Sequence, residues 1–165
     1  MQDKNTYKRL AEYLIENQTK FYRLAYSYLA DREDSLDAVQ DAVCKAIESA
    51  YGLRRIEAVR TWFYRILVRE CLDRLRARGR ERSAPSGALD AGYYEDPLPQ
   101  DDSLYRRVQG LPPEVRTVIC LRFYEELSLK EISEATGWNL NTVKTRLYGG
   151  LRRLRVTMEG EKSDE

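Results

Sequence analysis

The chain contains no histidine. That removes a Ser-His-Asp triad, an imidazole general base and any His-containing zinc site. Its three cysteines, Cys44, Cys71 and Cys120, lie too far apart for any pair to have metal-ligand spacing. Each reads most simply as a small buried hydrophobe. Their odd number, with no signal peptide in view, points to a reducing, cytoplasmic setting. No apolar run approaches the roughly 20 residues needed to span a bilayer. Strand signals are nearly absent and no internal repeat is visible. Among 12 tyrosines and 27 acids no carboxylate cluster or Tyr-Arg constellation stands out, which argues against a nuclease or recombinase. Neither a cofactor nor a small-molecule substrate is expected.

Net charge is also scarce, at +1, but the sum conceals a strong asymmetry. From Arg54 to Arg82 there are ten arginines against four acids, Glu57, Glu70, Asp73 and Glu81. From Ser83 to Ser103 there are five acids, Asp90, Glu95, Asp96, Asp101 and Asp102, and no base. That second stretch also holds Pro85, Gly87, Gly92, Pro97 and Pro99 and has weak periodicity, as a linker does.

What is abundant is helical spacing. Phe21, Leu24, Ala25 and Tyr28 share one helix face. Asp31 is placed to cap a helix running to about Ala50, with Leu36, Val39, Val43 and Ile47 expected to be buried. A longer helix is expected from Ala58 to Arg78, burying Val59, Phe63, Ile66, Leu67 and Leu75. Beyond the acidic stretch, helices are expected at 113–124, 128–136 and 141–155. The fold class is all-α: two small helical domains, 1–82 and 104–165, joined by a flexible acidic linker at 83–103.

The sharpest local motif runs from Ser128 to Leu147. Ser128 and Glu131 have the spacing of a capping box. Ala135 is small where two helices must approach. Gly137 falls where a turn needs left-handed backbone, and Asn141 or its neighbour can cap the next helix. Leu129, Ile132, Val143 and Leu147 form the seam. This is a helix-turn-helix, whose second helix enters a major groove and offers Asn141, Thr142, Lys144, Thr145, Arg146 and Tyr148 to base edges and phosphates. Arg152 and its neighbours Arg153 and Arg155 would add phosphate contacts.

A helix-turn-helix alone fits many regulators, including one that binds duplex DNA without any polymerase. The first domain narrows the reading. Asp34-Ser-Leu-Asp37-Ala-Val-Gln40-Asp41-Ala-Val43, then Thr61-Trp-Phe-Tyr-Arg-Ile-Leu67 and Leu72-Asp-Arg-Leu-Arg76, resemble the second conserved region of extracytoplasmic-function (ECF) sigma factors. Leu111-Pro-Pro-Glu-Val-Arg116 through Leu154 resembles their fourth region. The resemblance covers about Phe21 to Arg155, in the family's order.

The resemblance implies a set of partners. Asp34, Asp37, Gln40 and Asp41 would dock on the basic coiled coil of the polymerase β′ clamp; an acidic face merely solvated at a helix N-terminus is the plain alternative. Arg54, Arg55, Arg60, Trp62, Tyr64, Arg65, Arg69 and Arg76 would trap the −10 element as single strand, cations on phosphates and rings on bases. Trp62 and Phe63 fit a core role as well. The second domain would read the −35 element and meet the β flap. The linker would thread a basic channel of the polymerase. A membrane-anchored anti-sigma factor would hold the protein inactive until an envelope signal arrives. Three positions depart from the family pattern. Arg69 stands where Asn is common. Leu53-Arg54-Arg55 replaces a Phe-Arg-Gly run. Gly149-Gly150 stands where the recognition helix continues with Arg-Ala, and is expected to bend or fray it.

Overall fold

The computed structural model describes residues 4–81 and 103–162. The acidic stretch expected as a linker, with its five acids, therefore lies outside the described residues apart from Ser103, as does its junction with the first domain. The described helices fall into two compact units. The first holds α1 (Lys4–Glu16), α2 (Gln18–Leu29), α3 (Arg32–Glu48) and α4 (Val59–Glu81), with two short 3-10 turns, Ala50–Gly52 and Ile56–Ala58, before α4. The second holds α5 (Ser103–Gln109), α6 (Pro113–Ile119), α7 (Leu129–Thr136) and α8 (Leu140–Lys162), with a π-helical turn at Cys120–Tyr124. Among the described residues there is no strand. No described helix is long and apolar enough to cross a membrane.

In the first unit α2, α3 and α4 pack on one another and α1 closes against α2. Phe21, Leu24, Ala25 and Tyr28 are buried, as their spacing requires. The centre is aromatic: Phe21 lies 4.4 Å from Phe63 and meets Tyr64 edge-on at 5.8 Å, ring centre to ring centre. Such pairs add packing energy beyond the area they bury. The chain leaves α2 through Ala30 in left-handed backbone and enters α3 through Asp31, whose carboxylate accepts from the Asp34 amide at 2.8 Å. Helix α1 is an addition to the expected elements. It is amphipathic and buries only Leu10 and Leu14.

Helix α3 is turned differently from expectation. Its buried residues are Ser35, Ala38, Ala42 and Ala46. Leu36 and Ile47 are about half exposed, at 46% and 53%, and Val39 and Val43 are half-buried. Each buried position precedes an expected one by a single residue, a rotation of about 100°. The physical reason is size. An alanine face lets α3 approach α2 and α4 more closely than valines and leucines would, and that contact outweighs the area lost by exposing the larger side chains. Of the five residues expected to face inward from α4, Val59, Phe63 and Leu67 are buried, while Ile66 and Leu75 are half-buried.

In the second unit α8 packs on α5, α6 and α7. Pro113 occupies the first turn of α6, where a missing N–H costs nothing. Helix α8 does not break at its glycines; it is continuous from Leu140 to Lys162. The two glycines differ. Gly149 has open space where a Cβ would go. A Cβ on Gly150 would sit 2.7 Å from Val115 Cγ1 and 3.2 Å from Ile119 Cδ1. Gly150 is therefore the point at which α6 lies against α8, and the residue type follows from that approach.

The cysteines separate cleanly: Cys71 and Cys120 are buried and Cys44 is exposed. Burial pushes the Cys71 thiol far above its ordinary value. Titration with a disulfide reagent should therefore modify one thiol rapidly in the native protein and three in denaturant. Rapid reaction at two or more sites under native conditions would show that this packing is wrong.

Candidate nucleic-acid interface

The helix-turn-helix is built largely by local chemistry. Ser128 Oγ accepts from the Glu131 amide at 3.1 Å, and the Ser128 amide donates to Glu131 Oε1 at 3.0 Å, closing the capping box. Gly137 ends α7 at φ 78°, a left-handed conformation that glycine adopts without penalty. The turn beyond it is held at both backbone atoms of Trp138. Ser133 Oγ donates to the Trp138 carbonyl at 2.6 Å, and the Trp138 amide donates to Thr136 Oγ1 at 3.2 Å. Asn139 then caps α8 by accepting from the Asn141 amide at 2.8 Å. The cap is thus two residues before Asn141, neither Asn141 nor its immediate neighbour. Ile132, Ala135, Val143 and Leu147 form the buried seam; Leu129 is half-buried.

The outward face of α8 carries the expected residues. Asn141, Lys144, Thr145 and Tyr148 are exposed and Thr142 is half-buried. Thr145 Oγ1 donates to the Asn141 carbonyl at 2.9 Å. Arg146 is half-buried, its guanidinium carbon 4.2 Å from the centre of the Trp138 ring. Arg152 lies further along. It lines an apolar groove of about 520 Å³ with Arg107, Leu111, Arg153 and Leu154.

In the first unit the four nominated acidic and amide residues of α3 are not equivalent. Asp34 pairs with Arg78, which also donates through Nη1 to the Leu29 carbonyl at 2.6 Å. Asp41 pairs with Arg74. Asp37 and Gln40 are exposed and form no ion pair or side-chain hydrogen bond with a described residue. Beneath them Glu70, nearly buried, binds Lys45 and accepts from Arg74 Nε at 3.4 Å. The hydrogen bond to Glu70 raises the Lys45 pKa despite some desolvation. Burial pulls Arg74 down, but Asp41 and Glu70 more than reverse it, so its pKa also rises. Charge alternation thus ties α3 to α4.

The basic and aromatic group is also sorted. Arg54, Arg55, Arg65 and Arg69 are exposed, Arg60 is half-buried, and Arg76 is exposed with Asp73 at 3.5 Å. Trp62 is half-buried and lines a cavity of about 350 Å³ with Lys45, Arg65, Ile66, Arg69 and Glu70. Tyr64 departs from expectation. It is buried, at 2% exposure, and so offers no ring to an unpaired base in this conformation. The cause is its position beside Phe63, where the helix faces the Phe21 ring of α2. Lys45, Glu70 and Trp138 were not singled out in the sequence. Only their tertiary partners make them notable.

Known proteins match both units. The family model for Sigma-70 region 2 matches residues 14–81, and that for Sigma-70, region 4 matches residues 101–154. The chain is 40% identical to the RNA polymerase sigma factor SigV of Bacillus subtilis, over 98% of both chains. It is 31% identical to the ECF RNA polymerase sigma factor SigE of Mycolicibacterium smegmatis, over 93% of this chain and 63% of that one. The fold is similar to the sigma factor RpoE of Bartonella quintana, solved in complex with the anti-sigma factor NepR, with a TM-score of 0.76 and 20% identity over 90% of this chain and 96% of that one. It is also similar to CnrH, solved with the cytosolic domain of CnrY, with a TM-score of 0.67 and 17% identity over 92% and 88%. The chain belongs to the ECF group of the sigma-70 family of RNA polymerase sigma factors. The match over residues 14–81 favours this over a helix-turn-helix regulator acting without polymerase.

Proposed function

We propose that the protein docks on core RNA polymerase through Asp34, Asp37, Gln40 and Asp41 of α3 and carries promoter DNA on two other surfaces. Helix α8, from Asn141, lies in the major groove of the −35 element, with Lys144 and Arg146 as the long donors. Arg54, Arg55, Arg60, Arg65, Arg69 and Arg76, with Trp62, hold the −10 element as single strand. Tight binding to the open strand and not to the duplex shifts the promoter toward melting. The protein itself makes and breaks no bond; the polymerase does. The second unit faces the β flap, and the stretch 83–103 joins the two units through the polymerase's basic channel. The working compartment is the cytosol. RpoE was solved with the anti-sigma factor NepR, and CnrH with the cytosolic domain of CnrY. A similar anti-sigma factor anchored in the membrane would hold this chain silent until the envelope is stressed.

The observation that carries this reading is the sorting of charge within one unit. Helix α3 presents acids, α4 and the preceding loop present arginines around Trp62, and the two sets lie on different helices. Reconstitution with core polymerase and a promoter library tests it. Asp37→Lys should weaken holoenzyme formation about tenfold or more, because like charges would then meet across the contact, and should leave the melting temperature unchanged. Asp41→Lys should weaken binding and also lower the melting temperature, since it leaves Arg74 facing a cation. Lys144→Ala and Arg146→Ala should impair −35 recognition but not core binding. The opposite assignment of effects, or no holoenzyme at low salt, would overturn the proposal.

A further inference from the structure

Arg146 is half-buried, and its guanidinium carries five N–H donors. It forms no hydrogen bond or ion pair with a described residue, and its Nη1 is buried without a partner. Its guanidinium carbon lies over the Trp138 ring, 4.2 Å from the ring centre. Trp138 in turn is clamped by Ser133 and Thr136 at its own backbone carbonyl and amide. The ring therefore sits on a turn fixed relative to α8, and it covers one side of the guanidinium. A planar cation against an indole face is a favourable arrangement. A free arginine on a solvated helix would sample many rotamers. This one has its plane set before any ligand arrives.

We infer that Trp138 is a positioning residue for −35 recognition: it holds the Arg146 guanidinium in one plane so that its unspent donors meet the paired acceptors of a single guanine edge. The inference rests on the reading that α8 enters duplex DNA. Two parallel hydrogen bonds to O6 and N7 need a defined plane, which lysine cannot supply. Pre-setting it removes the ordering cost at binding. A phosphate contact would use the same donors, but its loss would not depend on base sequence.

The test uses the full chain assembled with core RNA polymerase and duplexes with a randomised −35 hexamer, from which the tightest binder and its single-pair variants are taken. Binding is followed by fluorescence anisotropy for wild type, Trp138→Leu, Trp138→Phe, Arg146→Lys and the Leu/Lys double variant, each checked by thermal melting. Trp138→Leu should reduce discrimination at one base pair about tenfold. Trp138→Phe should retain most of it, and Trp138→Leu should cost nothing further in the Arg146→Lys background. Independently of DNA, the side-chain Nε–H resonance of Arg146 should be shifted by the ring current in wild type and in Trp138→Phe, but not in Trp138→Leu. Uniform loss across all duplexes, equal loss in both arginine backgrounds, or an unshifted resonance beside tight duplex binding would overturn this inference alone. Failure to select any duplex would overturn the reading of α8 and this inference with it.

Discussion

Trp62→Ala and Tyr64→Ala should both impair promoter opening, for different physical reasons. Trp62 is half-buried at the rim of a cavity that also touches Arg65 and Arg69. Its removal should leave the melting temperature within a few degrees of wild type. It should weaken capture of −10 single strand by about 1–3 kcal/mol, the usual worth of one base stacked on a ring. Tyr64 is buried against Phe21. Its truncation should cost about 3–5 kcal/mol of stability, as for other large aromatic cores. A helical unit of this size is stable by only roughly 4–12 kcal/mol, so much of the first unit's stability would go with it. Circular dichroism melts alongside single-strand anisotropy separate the two. A stable Tyr64→Ala protein with lost strand binding would restore Tyr64 to the interface and contradict the packing.

The adjacent glycines of α8 give the second contrast. Gly149→Ala should stabilise the second unit by about 1 kcal/mol, since nothing lies within 4 Å of the new methyl group and alanine is the better helix former. Gly150→Ala should destabilise it, by about 1–3 kcal/mol net, because the methyl group would overlap the Val115 and Ile119 side chains and force α6 away from α8. The effect on duplex binding should follow, since α8 is also the helix proposed to read the −35 element. Denaturant melts of the two variants settle it. Equal shifts in one direction would mean that the helices are not in this contact.

The pattern of successes follows the range of the forces involved. The helix-turn-helix was legible because its determinants are a few residues apart: Ser128 with Glu131, Gly137 at the turn, an apolar seam at helical spacing. Capping and backbone handedness are local, so they survive without knowledge of the rest of the chain. The face of α3 was not legible. Hydrophobicity ranks Leu36 and Ile47 above Ala38 and Ala42, but the close approach of three helices ranks them by volume. The same blindness applies to Gly150, which looked like a weak point in a helix and is a contact, and to Tyr64, whose ring was grouped with those expected to stack on unpaired bases. Trp62, for which the sequence allowed both a core and a surface role, is half-buried, with Arg65 and Arg69 exposed beside it. Lys45 and Glu70 were passed over because an ion pair 25 residues apart leaves no spacing signal.

The arginines of α4 fall into two classes that a residue count merges. Arg65 and Arg69 point to solvent, whereas Arg74 and Arg78 spend their charge on Asp41 and Asp34 of α3. Only the first class can displace the cations condensed along a nucleic acid. The ionic-strength dependence of strand binding should therefore be shallower than ten arginines between Arg54 and Arg82 suggest; Arg74 and Arg78 act as rivets between two helices.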